Sequence, residues 1–384
     1  GFVGSRICAA LVDGGAAVRA VVRRPGTAPA LAGVEERVGD FHDPDFAAAV
    51  VQGASAVVTT VHPMGTDRET QHRIAVEGTP VLARAARDAG VRRLVHISTA
   101  AVYDRSPGVG DVDESSPLVA DDANAYAATK RDTDAALGEV DGLTRVILRP
   151  PAILGAGESS IWNSLRPAEI RDDERARHAV PGKSFAWVHV DDLAALAAEV
   201  ASGRVAGSTD PGKGPVEGAC TVVNVAAGPA TARDYYETVT AALGVEPVWD
   251  EAPAWTGRIL AERAQGWGWA PTVDLARALA EIADPAEIES GRRIAEIDQL
   301  ELQALIFQLG VLRSGVVVTN WVEYARGSEL EGLFRAVEQD LITFSTLGID
   351  ELRPEFSDFW TRLKTELDKR LKLLELQEKS AVKI

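Results

Sequence analysis

Through its first 150 residues the chain alternates short apolar runs with longer stretches of helical period. Ala17 to Val22, Ala56 to Val61, Val91 to Ser98 and Thr144 to Leu148 read as buried parallel strands, and Val38-Gly39-Asp40 closes another. Amphipathic helices lie between them. The first, around Ser5 to Leu11, ends at Gly14-Gly15; a second is capped by Asp43-Pro44-Asp45, with Pro44 at its first position; a third spans Thr70 to Gly90. This alternation predicts an α/β fold with a parallel sheet covered on both faces. After Leu148 the rhythm breaks. Trp187 to Val190 and Thr221 to Val225 read as further strands, and Leu193 to Ala201, capped by Asp191-Asp192, as a helix. Helices are also expected at Arg233 to Leu243 and Leu275 to Ile282.

The strand ending at Ser98 leads into hydroxyl residues, Ser98-Thr99, and Tyr126-Ala127-Ala128-Thr129-Lys130 opens a helix. Tyr126 and Lys130 are four apart and so share one helix face. A phenol beside an ammonium, facing a hydroxyl at a strand's carboxyl end, is a device for moving a proton. The cation is expected to lower the phenol from its ordinary pKa of about 10, with Thr99, supported by Ser98, holding a carbonyl or alcohol oxygen.

Gly1-Phe2-Val3-Gly4 runs straight into the first helix. Glycines there admit a pyrophosphate to the free N–H groups of the helix amino end. The preceding strand and first glycine of such a motif are absent, as is an initiator Met. The expectation is a chain truncated at its amino end, lacking the strand that would lie between Ala17–Val22 and Ala56–Val61. Arg23 and Arg24 stand where an acid would bind a ribose 2′-hydroxyl and an arginine a 2′-phosphate, which favours NADP while leaving NAD open. His62 follows a strand end but has no partner legible in the sequence, so it reads as structural.

Together with Glu77-Gly78-Thr79, Arg149-Pro150-Pro151 and Trp187-Val188-His189-Val190-Asp191-Asp192-Leu193, these motifs resemble the extended short-chain dehydrogenase/reductases of the NAD-dependent epimerase/dehydratase type. The resemblance implies a Rossmann-like doubly wound sheet (here with its first strand missing) over residues 1–283, with a small substrate lobe mainly from 155–181 and 205–283. It implies Tyr126 as acid/base, Lys130 as its tuning cation and Thr99 and Ser98 as orienting hydroxyls. The cofactor set becomes Gly1, Phe2, Val3, Gly4, Arg23, Arg24, Asp40, Phe41, Thr60, Val61, Ile97, Pro150 and Ile153, with Tyr126 and Lys130. The family's usual Asn within the third helix is replaced by Ile74-Ala75-Val76, so a structural hydrogen bond is expected to be supplied otherwise. Tyr103, Asn163, Arg166 and Arg175 are the expected substrate contacts, arginines suiting a phosphate or carboxylate; solvent-facing charges balanced by Asp172, Asp173 and Glu174 are the alternative. The implied activity is epimerase, dehydratase or reductase chemistry on a sugar nucleotide or similar polar hydroxyl or carbonyl compound. Alternatives are a reductase of small apolar ketones or aldehydes and a non-catalytic NADP-sensing regulator.

The net charge of −17 argues against nucleic acid or an anionic membrane as partner. Two cysteines far apart, Cys8 and Cys220, indicate a reducing compartment, hence a cytoplasmic protein, and no metal site is expected. After Asp284-Pro285 alanine becomes scarce. Glu287 to Leu312, Glu329 to Leu347 and Glu355 to Glu378 read as amphipathic helices, and Ser314 to Thr319 as a short strand. Residues 284–384 are expected to be a helical oligomerisation or docking segment, compatible with a homodimer, or an unrelated fused frame.

Overall fold

The computed structural model describes residues 1–282 apart from 24, 64, 65 and 158. Arg24 and the helices and strand expected beyond residue 284 lie outside the described residues. The described part falls within one compact unit, Gly1–Pro285.

Helix α1 (Phe2–Asp13) leads to strands β1 (Val18–Val22) and β2 (Val34–Val38), which pair in parallel from Val18↔Val34 to Val22↔Val38. Helix α2 (Pro44–Val50) starts as expected, with the Asp43 carboxylate accepting from the N–H groups of Asp45 and Phe46. A four-stranded parallel sheet follows, ordered β3 (Ala56–Thr59), β4 (Arg93–Ile97), β5 (Thr144–Arg149) and β6 (Cys220–Asn224). Residues 220–224, expected in the substrate lobe, thus join the main sheet beside β5.

Side chains alternate between two apolar faces of this sheet. Val95, Ile97, Val146, Leu148 and Val223 pack with α1 and α6 (Val190–Ala201), whereas Leu94 and Ile147 pack with α4 (Gly78–Asp88) and α5 (Ala125–Gly138). Burial on both faces is why these strands read as continuous apolar runs. The expected third helix is α3 (Arg68–Gln71) continued through a π-helical turn, His72–Glu77, into α4. That turn coincides with Ile74-Ala75-Val76. A third cluster, with Leu154, Ile170, Phe185, Trp187, Tyr235 and Val239, forms the core of the lobe, in which Trp162 meets Phe185 and Tyr235 edge-on. The aspartates at the head of α6 are not its caps. His189 accepts from the Asp191 N–H, while buried Asp192 accepts from Thr272 and Val273 and anchors the chain there.

Among the described residues β1 pairs only with β2, and β3 only with β4. Each leaves one edge open on a cavity of about 910 Å³ lined by residues of α1, β1 and β3. Open ladder groups exchange readily, whereas β4 and β5 are paired on both sides. Hydrogen exchange followed by mass spectrometry is therefore expected to show rapid labelling of 18–22 and 56–59 against strong protection of 93–97 and 144–149. Equal protection of all four strands would contradict the open edges.

Candidate functional site

The parallel strands carry the expected residues to one edge. β4 ends at Ile97 and passes directly into Ser98 and Thr99, both buried; β3 ends into Thr60 and exposed Val61; β5 ends at Arg149, before buried Pro150. Thr99 begins a short 3₁₀ turn, Ala100–Val102, its hydroxyl accepting from the Ala101 N–H at 3.1 Å. Asn124 caps α5 through the Ala127 N–H. Tyr126 therefore sits in the first turn of α5, with Lys130 one turn further and Asp134 one beyond that.

Lys130 is buried and its Nζ donates to the Ile97 carbonyl at 2.8 Å. Burial lowers its pKa from the ordinary 10.5 to about 8, against the opposing attraction of Asp134. Tyr126 is half-buried, and the balance there differs from the expected one. Burial raises the phenol pKa; the Thr99 hydroxyl and the Arg105 guanidinium favour the phenolate, while Asp134 opposes it. The raised pKa leaves the phenol protonated at neutral pH, with the Thr99 hydroxyl close enough to favour its charged form. His62 packs edge-on against the Tyr126 ring, centroids 5.1 Å apart, and its Nε2 meets Gln71 Oε1 at 3.1 Å. The same Gln71 oxygen accepts from the Thr129 hydroxyl, and Gln71 donates to the Thr66 carbonyl. Gln71 thus ties α3 to α5 from just before the π-helical turn.

Beneath Lys130 lies a buried ion pair, Arg149 Nε to Asp134 Oδ2 at 2.9 Å. Burial raises the Asp134 pKa, while Arg149 holds it down. Ser98 Oγ and Asp134 Oδ1 have no partner within hydrogen-bond geometry, yet the hydroxyl faces the carboxylate closely enough to favour its charged form. Arg149 also donates to Tyr103 Oη, which donates to Asn224 Oδ1 at 2.7 Å; the Asn224 N–H in turn donates to Glu114. Tyr103 is thereby buried in the network behind the site. The other expected substrate contacts lie within the lobe. Asn163 accepts from the Gly155 N–H and donates to the Ala278 carbonyl; Arg166 pairs with Glu169 and donates to Tyr236; exposed Arg175 faces Asp173.

The residues expected to hold a dinucleotide lie on the opposite side of this edge. The amino end of α1 has no side-chain cap and no acid in its first turn, so its N–H groups are open to an anion. A Cβ on Gly4 would come within 3.2 Å of Thr60 Oγ1, so a side chain there would crowd β3. Partly buried Val3 and Ile153 pack against the core, Phe2 lies over Gly155, and half-buried Phe41 borders the cavity. Asp40 and Arg23 are exposed, Asp40 meeting His42 at 2.9 Å. Gly78 is explained here: a Cβ would collide with the His42 ring. Among the described residues no cluster of His, Cys, Asp or Glu suits a metal, and no helix is long and apolar enough to cross a membrane.

Residues 1–180 match a family described as NAD(P)H-binding. A 3β-hydroxysteroid dehydrogenase/Δ5→4-isomerase of Mycobacterium tuberculosis is 32% identical over 177 residues, 43% of this chain and 48% of that protein. A 4-hydroxy-2-methyl-3-oxo-4-farnesyl-3,4-dihydroquinoline-1-oxide ketoreductase of Stigmatella aurantiaca is 32% identical over 49% of this chain and 55% of its own. The chain spans about half the length of these relatives. In fold it resembles a short-chain dehydrogenase/reductase superfamily protein from Agrobacterium tumefaciens solved with bound NAD (TM-score 0.58, 21% identity, 78% of this chain and 97% of that one). It also resembles UDP-glucose 4-epimerase of Thermotoga maritima solved with UDP-glucose (TM-score 0.58, 17% identity, 77% and 96%).

Two stability predictions follow from the buried charges. Arg149→Met leaves Asp134 buried and unpaired and is expected to cost about 3–5 kcal/mol in urea unfolding, most of it regained when Asp134→Leu is added. A double variant no more stable than the single one would contradict the pairing. From about pH 8 to 10.5 the unfolded chain keeps a proton on Lys130 that the folded chain has released, so stability gains from rising pH in that window. Lys130→Met is expected to lose this increment in melting temperatures taken across the window; identical slopes for the two proteins would contradict it.

Proposed function

Taking residues 1–180 as the NAD(P)H-binding domain of an extended short-chain dehydrogenase/reductase, we propose that the chain interconverts a secondary alcohol and a ketone on a largely apolar compound. The observation that carries this reading is the grouping of Tyr126, Thr99 and Lys130 at the carboxyl end of β4, opposite an uncapped helix amino end suited to a pyrophosphate. Bound nicotinamide would supply the hydride acceptor or donor. In reduction Tyr126 gives its phenolic proton to the nascent alkoxide; in oxidation its phenolate takes the hydroxyl proton. Thr99 orients the reacting oxygen. Lys130, held by the Ile97 carbonyl, keeps a positive charge beneath the ribose side of the site at neutral pH. Arg23, exposed just beyond β1, favours NADP.

The choice of an apolar substrate rests on where the polar groups of the lobe are spent. Asn163 and Arg166, which would grip a sugar nucleotide, are engaged inside the lobe. The sequence relatives act, by name, on hydroxysteroids and on a farnesylated ketone. This weights the reading toward the reductase alternative over the sugar-nucleotide one, and the presence of Tyr126, Lys130 and Thr99 weights it against a silent regulator.

Tyr126→Phe is expected to lower turnover of a ketone panel by roughly 10²–10⁴-fold while leaving NADPH affinity, read by fluorescence titration, close to that of the parent. Undiminished turnover would overturn the role of Tyr126. Tight NADPH binding by the parent with no hydride transfer across the panel would favour the regulator.

A further inference from the structure

Tyr126 lies in the first turn of α5, where the attachment of the helix sets its backbone and leaves the direction of its ring to the groups around it. A tyrosine keeps more than one rotamer open unless its neighbours close them. One such neighbour is the His62 ring, at 86° to the phenol ring with centroids 5.1 Å apart. Edge-to-face is a favoured arrangement of an aromatic pair, so a swing of either ring loses the contact. His62 comes from a different element, the loop between β3 and α3.

A loop residue positions nothing unless it is itself held. Gln71, buried at the end of α3, holds His62. The orientation of its amide follows from its surroundings. The NH₂ group donates to the Thr66 carbonyl at 2.7 Å, which leaves the oxygen toward His62 and Thr129. A carbonyl oxygen only accepts. The imidazole therefore donates through Nε2, at 3.1 Å, and Thr129 through its hydroxyl, at 3.0 Å. The hydrogen on Nε2 is committed to Gln71, which fixes the ring in one tautomer and one plane. Thr129 stands three residues beyond Tyr126 on α5, so the contacts close a circuit: Tyr126 to His62, His62 to Gln71, Gln71 to Thr129 and back along the helix. The π-helical turn His72–Glu77 begins directly after Gln71. Such a turn holds one residue more than an α turn. At about 100° per residue, an unbroken helix would point Gln71 away from its present direction.

We propose that His62 and Gln71 are positioning residues for Tyr126: Gln71 holds the imidazole, and the imidazole holds the phenol ring at the angle from which it reaches the substrate's oxygen. This rests on the oxidoreductase reading above. Neither side chain makes or breaks a bond. The proton passes between Tyr126 and the reacting oxygen, and the Nε2 hydrogen of His62 stays on its bond to Gln71. The circuit asks residue 62 for an aromatic edge with an anchor, and residue 71 for a fixed acceptor between that edge and α5. A phenol free to swing would still be present in the site but would meet the oxygen less often, so the loss falls on turnover and not on binding.

The test uses the full chain with NADPH and the ketone of the panel that the parent reduces fastest. His62→Ala is expected to lower kcat roughly 10- to 100-fold, with KM and NADPH affinity within about twofold of the parent. His62→Phe, which keeps the aromatic edge, is expected to recover a large part of that loss. Gln71→Met is expected to lower kcat as well, and His62→Ala with Gln71→Met to fall no further than His62→Ala alone. Circular dichroism and retained NADPH binding show that the variants are folded; the two His62 variants decide the matter if Gln71→Met is not. A His62→Phe variant as slow as His62→Ala, or additive losses in the double variant, overturn the proposal. A second readout needs no turnover. With tyrosine labelled at Cζ, the Tyr126 resonance is identified among the five by its absence in Tyr126→Phe. Burial holds this phenol above its ordinary value, so His62→Ala is expected to displace the resonance and bring its titration midpoint down toward about 10, with His62→Phe close to the parent. A resonance that does not move in His62→Ala overturns the proposal. One that moves as expected in a parent that transfers no hydride upholds the positioning contact and counts against the oxidoreductase reading alone.

Discussion

The ion pair between Arg149 and Asp134, buried at both ends, is the contact on which the site depends. It fastens α5 to the end of β5, and through Tyr103 and Asn224 the same guanidinium reaches β6. A buried pair of this kind contributes little net stability compared with apolar packing, but it tolerates few other positions for the helix, because displacement strands two charges away from water. Lys130 adds a second fastening one turn up the helix, onto the Ile97 carbonyl of β4. With α5 attached at both points, Tyr126 has one place to be, against Thr99.

The electrostatics follow from that attachment. Removal from water raises the phenol and lowers the ammonium, which is the reverse of what a simple cation-beside-phenol picture gives for the tyrosine. Lys130 spends its hydrogen bond on a backbone carbonyl, and the positive charge that acts on the phenol is that of Arg105. The phenol therefore keeps its proton at neutral pH.

The parts legible in the sequence are those encoded locally. Strand ends, the Tyr126–Lys130 spacing, the Ser98-Thr99 turn and the Asp43-Pro44 cap each lie within a few residues, where side-chain direction follows from backbone geometry. Asp134 was not singled out in the sequence; it enters through its ion pair with Arg149. That partner across the sheet read as part of a turn. What was not legible comes from pairings distant in sequence. Gln71 meets Thr129 across 58 residues, and Trp255 meets the loop of Gly110 across 145. Asp192 misled for a related reason: two acids at the head of a helix look like caps, and only the fold shows one of them reaching Thr272.

A crystal structure of the chain with NADP⁺ tests the central claim most directly. The account predicts the pyrophosphate on the free N–H groups at the start of α1, the nicotinamide ribose against Lys130, and the nicotinamide ring beside Tyr126 and Pro150. A cofactor whose nicotinamide lies away from Tyr126, with the phenol still turned into the protein, would contradict it.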